Sequence, residues 1–186
     1  MPSIRCNKDV FVALAVAAFV SSSVGAAPQA PASVPRLKVL VVHGPNLNLL
    51  GRREPQIYGT MTLDQINARL GDLAKEINVD LITMQSNSEA TIVDTFQQHI
   101  DDVDGALING AGLSFSSVSI HDVIKAMPFP VIEVHISNLG TRDDIHQHSI
   151  LTPAVRGTVM GLGWRSYTAA LRALAEIVRE DKAAKR

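Results

Sequence analysis

The sequence predicts an α/β protein: a parallel sheet with helices on both faces. Three observations lead there. Short runs rich in Val and Ile recur without polar alternation, the pattern of strands covered on both sides. Stretches of ten or more residues with apolar groups at helical spacing separate those runs. Parallel neighbours require crossovers of that length.

Residues 37–43, Leu-Lys-Val-Leu-Val-Val-His, read as the first strand, closed by Gly44-Pro45. A polar loop runs to Thr60. Thr62 is a natural N-cap for a helix carrying Leu63, Ile66, Leu70, Leu73 and Ile77 on one face. Residues 79–85 form the second strand. Ser88 starts a second helix whose later turns hold Ile92, Phe96 and His99-Ile100. Residues 105–109 form the third strand, followed by a tight turn at Gly110-Ala-Gly112. A third helix spans Ser116 to Met127 and stops at Pro128-Phe-Pro130. Residues 131–135 form the fourth strand, 158–162 a fifth, and Ser166 to Arg179 the last helix, with Glu176 to Arg186 a charged, fraying tail.

The chain has 186 residues, 46% hydrophobic and 19% charged, with a formal net charge of −1. That suits one domain plus an appendage. The charge lacks the basic excess of a nucleic-acid binder. The appendage comes first. Residues 1–26 read as a signal peptide: Arg5 and Lys8, an apolar run from Val10 to Val20, then small residues ending at Ala26. The run is too short for a membrane anchor. Residues 27–36 hold three prolines and no periodicity, as in a semi-extended linker. Residues 37–186 form the body. The single cysteine, Cys6, precedes the apolar run, which excludes a disulfide framework and a cysteine-based zinc site.

In a sheet of this kind the site lies beyond the carboxyl ends of the strands. There the chain lacks a Gly-x-x-x-x-Gly-Lys loop, a third glycine after Gly110-x-Gly112, and a Gly-x-Ser-x-Gly elbow. His146 and His148 are two apart and would not share a helix face for a metal. No lysine ends a strand, so imine chemistry has no nucleophile.

Acid–base chemistry remains. Tyr58 follows Arg53 in a glycine-flanked loop. The pair fits a solvated loop tyrosine, or a phenolate base favoured by the neighbouring guanidinium, which would need about 4 kcal/mol of stabilisation at neutral pH. His135 ends a strand two residues after Glu133, on the same face. It fits a satisfied core histidine, or an acid whose tautomer the carboxylate fixes. Backbone N–H groups of Ile136 and Ser137, and a helix N-terminus near Ser116, can meet an anion.

Four motifs, Gly-Pro-Asn46-Leu-Asn-Leu-Leu-Gly-Arg-Arg53-Glu-Pro-Gln-Ile-Tyr58-Gly, Gln85-Ser-Asn-Ser-Glu89, Ile108-Asn109-Gly-Ala-Gly, and Ile-Glu133-Val-His135-Ile-Ser137-Asn, resemble those of type II 3-dehydroquinate dehydratases. The likeness runs from about residue 37 to residue 180. It implies a flavodoxin-like five-stranded parallel sheet, a dodecamer built from trimers, and no metal or cofactor. It implies a lyase that eliminates water anti from 3-dehydroquinate through an enolate, giving 3-dehydroshikimate. On that likeness Tyr58 removes a C2 proton and Arg53 holds the phenolate. Asn46 helps hold a water on the enolate oxygen. His135, oriented by Glu133, protonates the departing C1 hydroxyl. Asn109, Ile136 and Ser137 bind the carboxylate.

The sequence departs from that pattern twice. Phe115 stands where the family has a substrate-binding histidine, and His146 where it has a substrate-binding arginine. Asp122, which in the family supports that histidine from a neighbouring subunit, is retained. Both changed positions recognise ring hydroxyls. A phenyl ring cannot hydrogen-bond, and an unpaired buried hydroxyl costs roughly 1–3 kcal/mol. The departures fit the orthodox reaction with weaker binding, a dehydratase for a related cyclic hydroxy-keto acid, or a non-catalytic periplasmic binder of such acids. The signal peptide predicts a secreted or periplasmic protein with no membrane attachment after cleavage. It suggests quinate catabolism rather than aromatic amino acid biosynthesis.

Overall fold

The computed structural model describes residues 35–185. The signal-peptide segment 1–26 and the linker, apart from Pro35 and Arg36, lie outside the described residues. Five strands, β1 (Leu37–His43), β2 (Val79–Gln85), β3 (Gly105–Asn109), β4 (Val131–His135) and β5 (Gly157–Met160), form one parallel sheet in the order β2-β1-β3-β4-β5. Each run buried on both faces lies in the sheet interior: β1, β3 and β4 are almost wholly buried, whereas the edge strands β2 and β5 are partly exposed.

The helices are α1 (Pro55–Tyr58), α2 (Leu63–Glu76), α3 (Glu89–Gln98), α4 (Val118–Ala126) and α5 (Arg165–Ala184). Thr62 and Gln65 form a reciprocal capping box at the start of α2. Strand alternation divides the core. Val39, Val41, Leu107 and Val134 pack with α2 and α5 through Leu70, Leu171 and Leu174. Leu40, Val42, Ala106 and Ile108 pack with α3 and α4 through Ile92, Phe96 and Ile120. The strand order reverses at β1, so the switch point lies between β1 and β3. Gly44 sits there because a Cβ would meet the Gly110 carbonyl oxygen at 2.5 Å.

Several boundaries differ from expectation. α4 begins at Val118 rather than Ser116, because the Ser117 hydroxyl accepts the Ile120 N–H as its N-cap. The Gly110–Gly112 turn becomes a 3-10 segment, Ala111–Phe115. α3 stops at Gln98, with His99 at its C-cap. β5 runs from Gly157 to Met160 and ends at Gly161, whose φ of +84° turns the chain away. The expected tail is helical to Ala184. Tertiary contacts hold it: Val178 is buried, Arg179 donates to the Ile77 carbonyl at 2.6 Å, and Lys182 pairs with Asp104 at 2.5 Å. Among the described residues no helix is long and apolar enough to cross a membrane.

Candidate active site

The carboxyl ends of β1, β3 and β4 surround a cavity of about 170 Å³. Its lining includes Asn46, Arg53, Tyr58, Asn109, Phe115, His135, Ile136, Ser137, Arg142 and His146. Strand parity brings polar groups to this rim of the sheet from both faces, and of them Asn109 and His135 line the cavity. His43 and Asn109 are paired in register and continue the α2–α5 parity of Val41 and Leu107. Glu133 and His135 alternate with Ile132 and Val134 and so take the α3–α4 side.

Glu133 is fully buried. An isolated carboxylate there would cost several kcal/mol, and four donors surround this one. His135 Nε2 lies 2.8 Å from Oε1, and the Ser149 hydroxyl donates to the same oxygen at 2.5 Å. The Thr152 hydroxyl donates to Oε2 at 2.7 Å, with that of Thr158 at 3.5 Å. Burial alone would raise the Glu133 pKa; the His135, Ser149 and Thr152 bonds outweigh it and hold the group below the ordinary carboxylate value. His135 Nε2 is committed to Glu133, so a proton exchanged with a substrate passes through Nδ1.

Tyr58 ends α1, which starts after Glu54 at a φ of +38° with Pro55 in the first turn. The Arg53 guanidinium lies over the ring face, 4.9 Å from its centroid, and pairs with Glu54 at 2.8 Å. Arg53 thus stands beside Tyr58 over the ring face, and a second cation meets the phenolic oxygen. The cation at that oxygen is Arg142, whose Nη1 donates to the Tyr58 hydroxyl at 3.3 Å and to the Ser137 hydroxyl at 3.1 Å. A 3-10 turn at Leu139–Thr141, capped by Asn138, brings Arg142 back over the rim.

Asn46 has a φ of 64°, a left-handed conformation that asparagine tolerates. Its N–H donates to Asn87 Oδ1 at 2.9 Å, which also accepts from Gln85 at 3.1 Å. The Gln85–Glu89 motif thus supports the first loop. Phe115 presents its ring to His135 at 6.2 Å and meets His146 edge-on at 5.1 Å. His146 Nδ1 lies 2.6 Å from Asp143 Oδ1. Asp122 does not join the cavity of its own chain: it is exposed on α4, beside His121 at 2.9 Å.

A second polar group lies at the ends of β1 and β3. His43 Nδ1 lies 3.0 Å from the Tyr167 hydroxyl, and His43 Nε2 lies 3.0 Å from Asn67 Oδ1. Asn109 Nδ2 donates to the Tyr167 oxygen at 3.0 Å. Burial lowers the His43 pKa to about 4, against the opposing pull of Asn67, and pushes the Tyr167 hydroxyl well above its usual range. Arg142 and this group left no local sequence signal. Only the pairing of His43 with Asn109 across two strand ends could have pointed to the latter.

Among the described residues no group of three or more His, Cys, Asp or Glu could hold a metal ion. The arrangement offers a phenol beside a guanidinium, an imidazole backed by a carboxylate, and an amide, all around one cavity. That set can move one proton off a carbon acid and another onto a leaving oxygen.

The Dehydroquinase class II family model matches residues 37–175. A 3-dehydroquinate dehydratase of Pelotomaculum thermopropionicum is 41% identical over 141 residues, 76% of this chain and 98% of that protein. One from Roseiflexus castenholzii is 44% identical over 135 residues, 73% of this chain and 86% of that protein. The crystal structure of the type II dehydroquinase of Propionibacterium acnes superposes with a TM-score of 0.73 at 40% identity, covering 76% of this chain and 99% of the other.

Proposed function

The chain belongs to the class II dehydroquinase family, and from that membership we propose that it is a hydro-lyase converting 3-dehydroquinate to 3-dehydroshikimate. One observation carries the assignment: Tyr58, with a guanidinium at its oxygen, and His135, with a buried carboxylate behind it, line a single cavity. Similarity to named 3-dehydroquinate dehydratases favours dehydroquinate over the shifted substrate or the non-catalytic binder.

The Tyr58 phenolate removes a proton from C2, and the C2–H electrons pass into the enolate of the C3 ketone. Arg142 stabilises the phenolate at its oxygen and Arg53 from the ring face. Asn46 helps hold a water on the enolate oxygen. The enolate then reforms the ketone, the C1–C2 double bond forms and the C1–O bond breaks. His135 Nδ1 supplies the proton that makes the leaving group water, and Glu133 stabilises the imidazolium that precedes it. Departure from the face opposite the abstracted proton makes the elimination anti. Asn109 and the backbone N–H groups of Ile136 and Ser137 bind the carboxylate. Phe115 and His146 face the ring hydroxyls, with Asp122 reaching a neighbouring protomer's site in a dodecamer of trimers. No cofactor, nucleic acid or membrane enters this scheme.

The product is a conjugated enone, so residues 27–186 incubated with 3-dehydroquinate should gain ultraviolet absorbance. Absence of product would contradict the assignment. The pattern in residues 1–26 supports export of the body and use of quinate-derived material outside the cytoplasm. A reporter fused to residues 1–36 should leave the cytoplasm, and its retention would contradict export.

A further inference from the structure

The buried group behind the sheet has one consistent direction of hydrogen bonding. Asn109 Oδ1 accepts the Ala111 N–H at 3.1 Å. A flipped carboxamide would set two donors against each other there, so the backbone fixes Nδ2 toward Tyr167. The Tyr167 oxygen accepts one Nδ2 hydrogen at 3.0 Å. Among the described residues, its own hydrogen then has His43 Nδ1, at 3.0 Å, as its acceptor. His43 is therefore neutral and carries its proton on Nε2, which donates to Asn67 Oδ1 at 3.0 Å. The opposite tautomer would leave the Tyr167 hydroxyl hydrogen without an acceptor where both rings are 0% exposed. A charged imidazole would do the same, in keeping with the low pKa that burial imposes on His43.

Asn109 has two Nδ2 hydrogens. Tyr167 takes one, and Asn109 is among the residues lining the cavity. We infer that Tyr167 and His43 are positioning residues: without touching substrate, they lock the Asn109 carboxamide so that its second N–H is held for an anionic group in the cavity. The inference rests on the proposed role of Asn109 in binding the substrate carboxylate. It adds that this role is set from α5 and β1, far from Asn109 in sequence.

Steady-state kinetics with 3-dehydroquinate test it. Tyr167→Phe keeps the ring and removes the acceptor. KM should rise about tenfold with kcat little changed, because carboxylate binding is common to ground and transition states. Asn109→Ala should raise KM similarly, and Tyr167→Phe added to Asn109→Ala should change it little further. His43→Asn, whose Oδ1 can accept in place of Nδ1, should keep KM near wild type, whereas His43→Leu should raise it. An unchanged KM in Tyr167→Phe, or effects that multiply in the double variant, would overturn the inference. Nitrogen-15 spectra of the unmodified protein provide a readout independent of activity. His43 should be protonated at Nε2 and bare at Nδ1; the opposite tautomer would overturn the chain of bonds even in an active enzyme. A wild type that made no product while showing the expected tautomer would count against the proposed function, not against the network.

Discussion

His43 closes β1 and His135 closes β4, both buried at the same rim of the sheet but on opposite faces. Their partners separate them. His135 faces a carboxylate that the imidazole itself and two hydroxyls, of Ser149 and Thr152, hold ionised. His43 faces a phenol and an amide, and burial takes its pKa down to about 4. An imidazole beside an anion can hold a proton to give away, whereas one among neutral groups can only accept and donate fixed hydrogen bonds. The first suits chemistry and the second suits alignment.

The comparison can be broken at several points. His135→Ala should lower kcat about 10³-fold, while His43→Asn changes kcat only within a few-fold; comparable kcat losses would erase the distinction. Glu133→Gln removes the anion but keeps a hydrogen-bonding side chain. It should lower kcat about 10²-fold in the same assay, since the imidazolium loses its counter-charge.

Stability against pH separates the two faces by window. The unfolded chain protonates His43 near 6.5 and the folded chain near 4, so the unfolded state binds more protons in between. Stability therefore falls as pH drops from 6.5 to 4, by at most about 3 kcal/mol. The lowered Glu133 pKa contributes stability above its ordinary value of 4.5, which is lost as pH falls below that value. Urea midpoints should follow both windows, and His43→Asn should flatten the upper one alone. Asn67→Asp would give His43 an anionic partner. NMR titration should then move its midpoint up from about 4 toward 6.5. The smallest effect belongs to Phe115→His, which restores a donor near the ring hydroxyls and should lower KM by up to about tenfold.

Sequence legibility followed the distance over which each interaction acts. β1 to β4 are short runs rich in apolar residues and ended by turn residues, and their bounds are readable. Glu133 and His135 are two residues apart on one strand, so alternation alone brings them together. The bond between His43 and Tyr167 spans 124 residues and that between Asn109 and Tyr167 spans 58. Neither exists until β1, β3 and α5 are assembled. Arg53 is readable beside Tyr58 because it is close in sequence, while Arg142 reaches the oxygen from 84 residues away. The last turns of α5 read as a frayed tail because Arg179 and Lys182 look solvated until Ile77 and Asp104 are in place beside them.

The most direct test of the central claim, that Tyr58 takes the C2 proton before His135 completes the departure of water, is deuterium exchange in heavy water. Recovered 3-dehydroquinate should carry deuterium at C2 after incubation with His135→Ala, which can still form the enolate but releases water slowly. It should carry none above background after incubation with Tyr58→Phe. Exchange by Tyr58→Phe at the rate of His135→Ala would contradict the account.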